Sequence, residues 1–211
     1  MEVARAPFVT FEGIEGSGKT TQLRLLSEYL AGQGILHVVT REPGGTPLAD
    51  EIRRLLLSRR EEHVFPETEL LLYEAARAQH VRAFILPALS SGKAVLCDRF
   101  FDATSVYQGF SRGIDDARIG EMNAFASGGL VPDLTLLFDI DPETGFRRIH
   151  GRGTQHDRIE SETIGFHRKV REGYLRLQER HPDRIVRIDG TPPADEVFRR
   201  VRAGIAARLR W

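Results

Sequence analysis

Residues 11–20 read FEGIEGSGKT. Gly13, Gly18, Lys19 and Thr20 match the pattern G-x-x-x-x-G-K-[ST] at every defined position. An apolar run, FVTF (8–11), precedes the glycines, and a segment of helical period carrying Leu23, Leu26 and Leu30 follows them. Glycines let a backbone wind tightly enough to aim several N–H groups at phosphate oxygens. The helix that follows adds its N-terminal partial charge. In such a loop the lysine reaches the outer phosphates and the hydroxyl of Thr20 becomes a magnesium ligand. The predicted phosphate cradle therefore comprises Gly13, Ile14, Glu15, Gly16, Ser17, Gly18, Lys19, Thr20 and Thr21.

Working outward, short apolar β-branched runs recur at ILHVVT (35–40), AVLCD (94–98), LTLLFDI (134–140) and RIVRID (184–189). Near-continuous apolar runs of this kind suit a parallel sheet covered on both faces. Helical segments are expected at 19–31, 47–57, 67–86 ending near Pro87, one or two within 102–127, 162–180 and 194–210. The alternation of strand and helix predicts a doubly wound α/β fold. No repeat or linker interrupts the chain, so 1–211 is expected to be a single domain. The stretch RRIHGRGTQHDRIE (147–160) reads as a mobile loop.

Thirty basic residues balance thirty acidic ones, which leaves no global basic field for nucleic acid or anionic lipid. No apolar run approaches the roughly 20 residues a membrane span needs, and the N-terminus lacks a signal-peptide core, so a cytoplasmic protein with no membrane partner is expected. The lone Cys97, inside AVLC, is read as a small buried hydrophobe.

A phosphate loop alone fits a GTP switch, a motor or a kinase. No N-K-x-D guanine-reading motif occurs. AVLCD instead ends in Asp98-Arg99, and ligands of open α/β sheets gather at such strand ends. An aspartate there can hold magnesium, and an arginine can clamp a second phosphate. Tyr73 and Arg77 are i, i+4 on one predicted helix, as are Thr104 and Gln108. Each pair permits a base pocket, and each equally permits a core aromatic beside a solvated polar face.

FEGIEGSGKTT, TREPGGTPLADEIRRLLL, LLLYEAARAQHV, AVLCDRF, YQGFSRGID, LVPDLTLLFDI and DRIE occur in this order. Together they resemble bacterial thymidylate kinase, from about residue 8 to the C-terminal helix. The resemblance implies a five-stranded parallel sheet flanked by helices, of the P-loop nucleoside-monophosphate-kinase type, with a short mobile lid at about 147–160. It implies transfer of the γ-phosphoryl of ATP to dTMP with Mg²⁺, in a homodimer. It assigns the ATP loop to Gly13–Thr20, Glu42 to the neighbourhood of the sugar and acceptor phosphate, and Arg53 and Arg99 to that phosphate. Tyr73 becomes the stacking ring, Arg77 the reader of the thymine carbonyl, and Thr104 and Gln108 base contacts. Tyr107 becomes the ring that crowds a 2′-hydroxyl. Thr20 and Asp98 are the implied metal-side residues.

Relatives with an acidic residue inside the phosphate loop, as at Glu15, draw their catalytic arginine from the lid. Arg148, Arg152 and Arg158 are the candidates, with Arg158 in DRIE the best matched. The physical sense is that Lys19 alone opposes the charge of the transferring phosphoryl group, so a mobile arginine can complete the site. Ala103 and Phe100 depart from the residues common in the family, and the lid is about one residue longer than in some members. The alternatives are a kinase for another nucleoside monophosphate and, from a different class, a nucleotide-dependent switch module. A nucleic-acid motor fits the neutral charge poorly.

Overall fold

The computed structural model describes residues 6–151 and 157–209. Five parallel strands, β1 (Phe8–Glu12), β2 (His37–Arg41), β3 (Ala94–Asp98), β4 (Leu134–Asp139) and β5 (Ile185–Asp189), pair in the order β2-β3-β1-β4-β5. Around them run α1 (Lys19–Gly32), α2 (Pro47–Leu57), α3 (Pro66–His80), α4 (Leu86–Ser90) and α5 (Phe101–Thr104). The remaining helices are α6 (Asp116–Ser127), α7 (Pro142–His150), α8 (Ile164–Arg180) and α9 (Ala194–Arg208).

β1 is buried along its whole length, as its unbroken apolar run requires. Val9, Phe11, Leu96, Leu134, Leu136 and Phe138 turn one sheet face to Leu23, Leu26 and Leu30 of α1 and Val197, Val201 and Ile205 of α9. Each such buried aliphatic or aromatic side chain is worth about 1.5–3 kcal/mol against exposure. On the opposite face Phe8, Val95 and Cys97 meet Val81, Ile85 and Leu89. Leu137 and Ile185 meet Tyr107, Val170 and Tyr174. Cys97 is buried as expected. Its Sγ donates to the Arg99 carbonyl at 3.0 Å, and burial pushes its thiol well above the ordinary range.

The register brings the functional segments to one edge. Phe11 of β1 pairs with Asp98 of β3, and Asp98 pairs in turn with Arg41 of β2. The loops that follow β1, β2 and β3 therefore leave the sheet side by side.

Three departures from the expected elements have physical causes. The helix expected to stop near Pro87 continues to Ser90. Val81–Ile85 form a π-turn in which Leu86 N donates to the Val81 carbonyl, and Pro87, which has no N–H, sits in the first turn of α4. A second π-turn, Ser105–Ser111, follows α5. The first part of the expected loop 147–160 is helical: Arg147–His150 form the last turn of α7. That helix starts at Asp141, whose carboxylate accepts from Thr144 N, and continues with Pro142 in its first turn. Its run of arginines obscured an amphipathic pattern set by Phe146 and Ile149.

Candidate active site

The glycine loop after β1 is held by close backbone approach. A Cβ on Gly13, whose φ is 138°, would lie 2.4 Å from the Phe138 carbonyl oxygen. One on Gly16, at φ 74°, would lie 2.4 Å from that of Gly145 in α7. Lys19 opens α1 and donates to the carbonyls of Gly13 (3.0 Å) and Ile14 (2.8 Å) and to Ser17 Oγ (3.3 Å). Burial and the nearby Arg99 charge lower its ammonium to about 8, against the pull of Asp98, Glu15 and Glu12. Thr20 Oγ1 donates to Asp98 Oδ2 at 3.0 Å, so the two hard-oxygen groups of the predicted metal side adjoin.

Arg99, directly after β3, has φ 71°, the left-handed region, and is the non-glycine residue in that state among those described. Such a backbone costs on the order of 1–3 kcal/mol and persists where surroundings impose it. Here Arg99 N donates to the Phe11 carbonyl. Its guanidinium donates to Glu15 Oε1 (2.6 Å) and to the Tyr174 hydroxyl (3.1 Å), and lies 5.0 Å from the centre of the Tyr107 ring. Glu15 also accepts from the Tyr107 hydroxyl at 2.8 and 2.9 Å and stands 3.3 Å from His167 Nδ1. Burial acts against ionising Glu15, but Arg99, then His167 and Lys19, outweigh it and hold the carboxyl well below the usual range. Glu12, beneath, accepts from Phe100 N and the Tyr174 hydroxyl, and burial raises it to about 7.

Arg53 of α2 donates to the Pro43 carbonyl at 2.9 Å. Burial and the neighbouring Arg41 charge lower its pKa. The Glu42–Pro43 peptide bond between them is cis.

Two adjoining cavities result. One is lined by Gly16, Gly18, Lys19, Thr20, Thr21 and Asp98. The other is lined by Tyr73, Arg77, Thr104, Tyr107 and Gln108. Glu15, Glu42, Arg53 and Arg99 belong to both walls. Both i, i+4 pairs thus reach one pocket, although a π-turn carries Gln108.

At the inner end of that pocket Arg77 is 2% exposed. It donates through Nε to Glu42 (2.8 Å), through Nη1 to Glu74 (2.8 Å) and Asn123 (2.9 Å), and through Nη2 to Thr104 Oγ1 (2.9 Å). A guanidinium carries five N–H groups, so these bonds leave one Nη2 N–H for the cavity that Arg77 lines. The carboxylates beside it raise its pKa, although burial alone would lower it.

Two of the expected site residues are engaged by protein partners. Glu42, expected beside sugar and phosphate, has one carboxylate oxygen on Arg77 and the other 3.1 Å from His80 Nδ1. It borders both cavities, but its carboxylate serves the buried arginine, because β2 ends beside α3. Arg158, the best-matched lid arginine, is turned to α2 and α3. Its Nη2 is 2.6 Å from Glu69, and its Nε donates to the Leu56 carbonyl at 2.8 Å. Arg148 donates to the carbonyls of Gly16, Gly190 and Thr191 at 3.1–3.4 Å, behind the glycine loop. Arg152 lies outside the described residues.

Sequence reasoning passed over Tyr174, His167, Glu69 and Asn123. Each reads as core or polar helix face, and nothing in its spacing ties it to the site. Arg41, which lines the phosphate cavity and pairs with Asp50 at 3.2 Å, had a signal in TREPGG beside Glu42.

Among known proteins, the family model described as thymidylate kinase matches residues 11–201. The chain is 50% identical to a thymidylate kinase of Geotalea uraniireducens over 207 residues, covering 96% of this chain and 97% of that protein. It is 51% identical to one of Desulfosudis oleivorans over 204 residues, 94% and 95% of the two chains. The crystal structure of thymidylate kinase from Ehrlichia chaffeensis superposes with a TM-score of 0.74 at 33% identity, covering 94% of this chain and 98% of that one.

Proposed function

The chain belongs to the thymidylate kinase family and phosphorylates dTMP to dTDP, and we propose that it does so with ATP as donor, in the cleft where the two cavities meet. The observation that carries this reading is the shared wall: Arg53 and Arg99 border both the phosphate loop and the pocket of Tyr73 and Arg77. A donor phosphate on one side and an acceptor phosphate on the other would then face each other.

In the proposed mechanism the loop amides and Lys19 hold the outer phosphates of ATP, and Arg53 and Arg99 hold the phosphate of dTMP. An oxygen of that phosphate attacks the γ-phosphorus as the bond to the bridging oxygen breaks, and ADP leaves. The acceptor is already ionised, so no general base is assigned. Phosphoryl transfer then depends on alignment and charge neutralisation. Glu15 fixes the orientation of Arg99, and Tyr107 is fixed by the same carboxylate. Tyr73 stacks on the base, Arg77 donates its remaining N–H to a base carbonyl, and Thr104 and Gln108 complete the contacts. The Thr20 hydroxyl and Asp98 carboxylate suit Mg²⁺, which favours oxygen ligands and retains water and phosphate. When bound, the ion neutralises charge on the phosphoryl oxygens.

We further propose a single catalytic domain whose lid supplies an arginine. Arg148, Arg152 and Arg158 are its candidates, and the alanine variant of the arginine that acts should lower kcat more than the other two do. We propose a cytoplasmic homodimer. α3 and α6 pack together and expose Leu71 (59%) and Phe125 (88%), a pair of apolar side chains suited to a second copy. No helix among the described residues is long and apolar enough to cross a membrane.

The test is ADP release measured with dTMP, dUMP, dCMP, UMP and AMP in turn. Release should rise most with dTMP. Release unaffected by every monophosphate would instead support a nucleotide switch, and a preference for another monophosphate would assign the neighbouring kinase activity.

A further inference from the structure

Glu69 in the first turn of α3 is 1% exposed, yet it carries charge to the side of the base pocket. Its Oε1 accepts from Gln108 Nε2 at 2.7 Å, and its Oε2 lies 2.6 Å from Arg158 Nη2. Arg112 approaches at 3.4 Å. Burial opposes ionisation of this carboxyl, but the Arg112 charge, the Gln108 hydrogen bond and Arg158 hold it below the ordinary range. It is therefore a carboxylate at neutral pH.

We infer that Glu69 is a positioning residue for base recognition, fixing the side-chain amide of Gln108 so that its oxygen faces the nucleotide. A carboxylate accepts hydrogen bonds and cannot donate them. The NH₂ group of Gln108 must then face Glu69, which leaves Oε1 as the atom offered to the cavity that Gln108 lines. Arg77 offers one N–H to the same cavity. A donor beside an acceptor complements a pyrimidine whose carbonyl adjoins a ring N–H, as in thymine and uracil. Cytosine presents an amino group and a bare ring nitrogen at those positions, so lone pair would meet lone pair at Gln108. With Glu69 neutral and able to donate, the amide could turn over and that penalty would fall. The same carboxylate pairs with Arg158, so the base reader and the C-terminal end of the expected lid share one support.

This inference rests on the reading of Gln108 as a base contact, and the experiment separates the two. kcat/KM for dTMP and dCMP, and KM for ATP, are measured for the unmodified enzyme, Glu69→Gln, Gln108→Leu and the double variant. Glu69→Gln should reduce the dTMP-over-dCMP preference about tenfold, as loss of one oriented hydrogen bond implies, chiefly through KM for dTMP and with KM for ATP unchanged. The double variant should match Gln108→Leu alone, because Glu69 acts through that amide. Preference retained in Glu69→Gln, or independent effects in the double variant, would overturn the role of Glu69 while Gln108 remains a base contact. Preference retained in Gln108→Leu would overturn the base-site reading and this inference with it. Should Glu69→Gln fold poorly, Glu69→Asp keeps the charge on Arg158 and withdraws the oxygen from Gln108. It should then show an intermediate preference at an unchanged melting temperature.

Discussion

At the phosphate end of the cleft, Lys19 donates to carbonyls five and six residues away in its own loop. At the base end, Arg77 takes partners 27, 35 and 46 residues away, on α5, after β2 and on α6. The first arrangement is local, and its cost is the conformational freedom its glycines lose on folding. The second is a buried charge network whose members lose their purpose together. Removing a group from the first should therefore damage chemistry, and removing one from the second should damage the fold.

The largest effect tests that contrast directly. Arg77→Leu leaves Glu42 and Glu74 buried without their common cation, and unfolding in denaturant should show a loss of about 3–5 kcal/mol. Lys19→Ala, by contrast, should lower kcat about 10²–10³-fold, the usual effect of deleting one transition-state donor, while stability changes far less. A Lys19→Ala protein as destabilised as Arg77→Leu would break the comparison.

A smaller effect sits where the loop touches α7. A Cβ on Gly145 would lie 2.6 Å from the Glu15 carbonyl oxygen, and that backbone has little room to move. Gly145→Ala should cost about 1–3 kcal/mol through overpacking and raise KM for ATP more than KM for dTMP. An equal rise in both would mean that the two ends are mechanically coupled through the loop.

The smallest effect is in pH dependence. Lys19 is depressed to about 8 in the ligand-free protein, so it is protonated below that pH and neutral above it. Only the charged form attracts phosphate, and kcat/KM for ATP should fall about tenfold per pH unit above roughly 8. Arg77, raised by its carboxylates, stays charged throughout, so discrimination between dTMP and dCMP should not change over the same range. A parallel loss of discrimination would assign the pH dependence to the base end.

How much of this was readable from residues follows the same division. Strand AVLCD and helix PLADEIRRLLL occupy the spans expected, because each is closed by local signals, Asp98-Arg99 after the strand and proline at the helix start. The continuation past Pro87 was not readable, since a π-turn depends on packing that no local pattern announces. The spacing of Tyr73 and Arg77 permitted a shared pocket without establishing one, since the same spacing allows a core aromatic and a solvated arginine. Tyr174 was invisible as a site residue. It is an aromatic on an amphipathic helix, and only folding brings its hydroxyl between Glu12 and Arg99.

The amino-acid sequence by itself determined the phosphate loop and the alternation of a parallel α/β fold, because contiguous chemistry and strand-helix periodicity carry them, whereas the acceptor residues were proposed from the resemblance of the motifs. Only the tertiary structure decided how those residues are oriented. It gave Glu42 to Arg77, Arg158 to Glu69, and Glu15 to Arg99, Tyr107 and His167. A buried charge must find its partner in space, and several arginines and carboxylates in one chain leave that pairing open until the sheet closes around them.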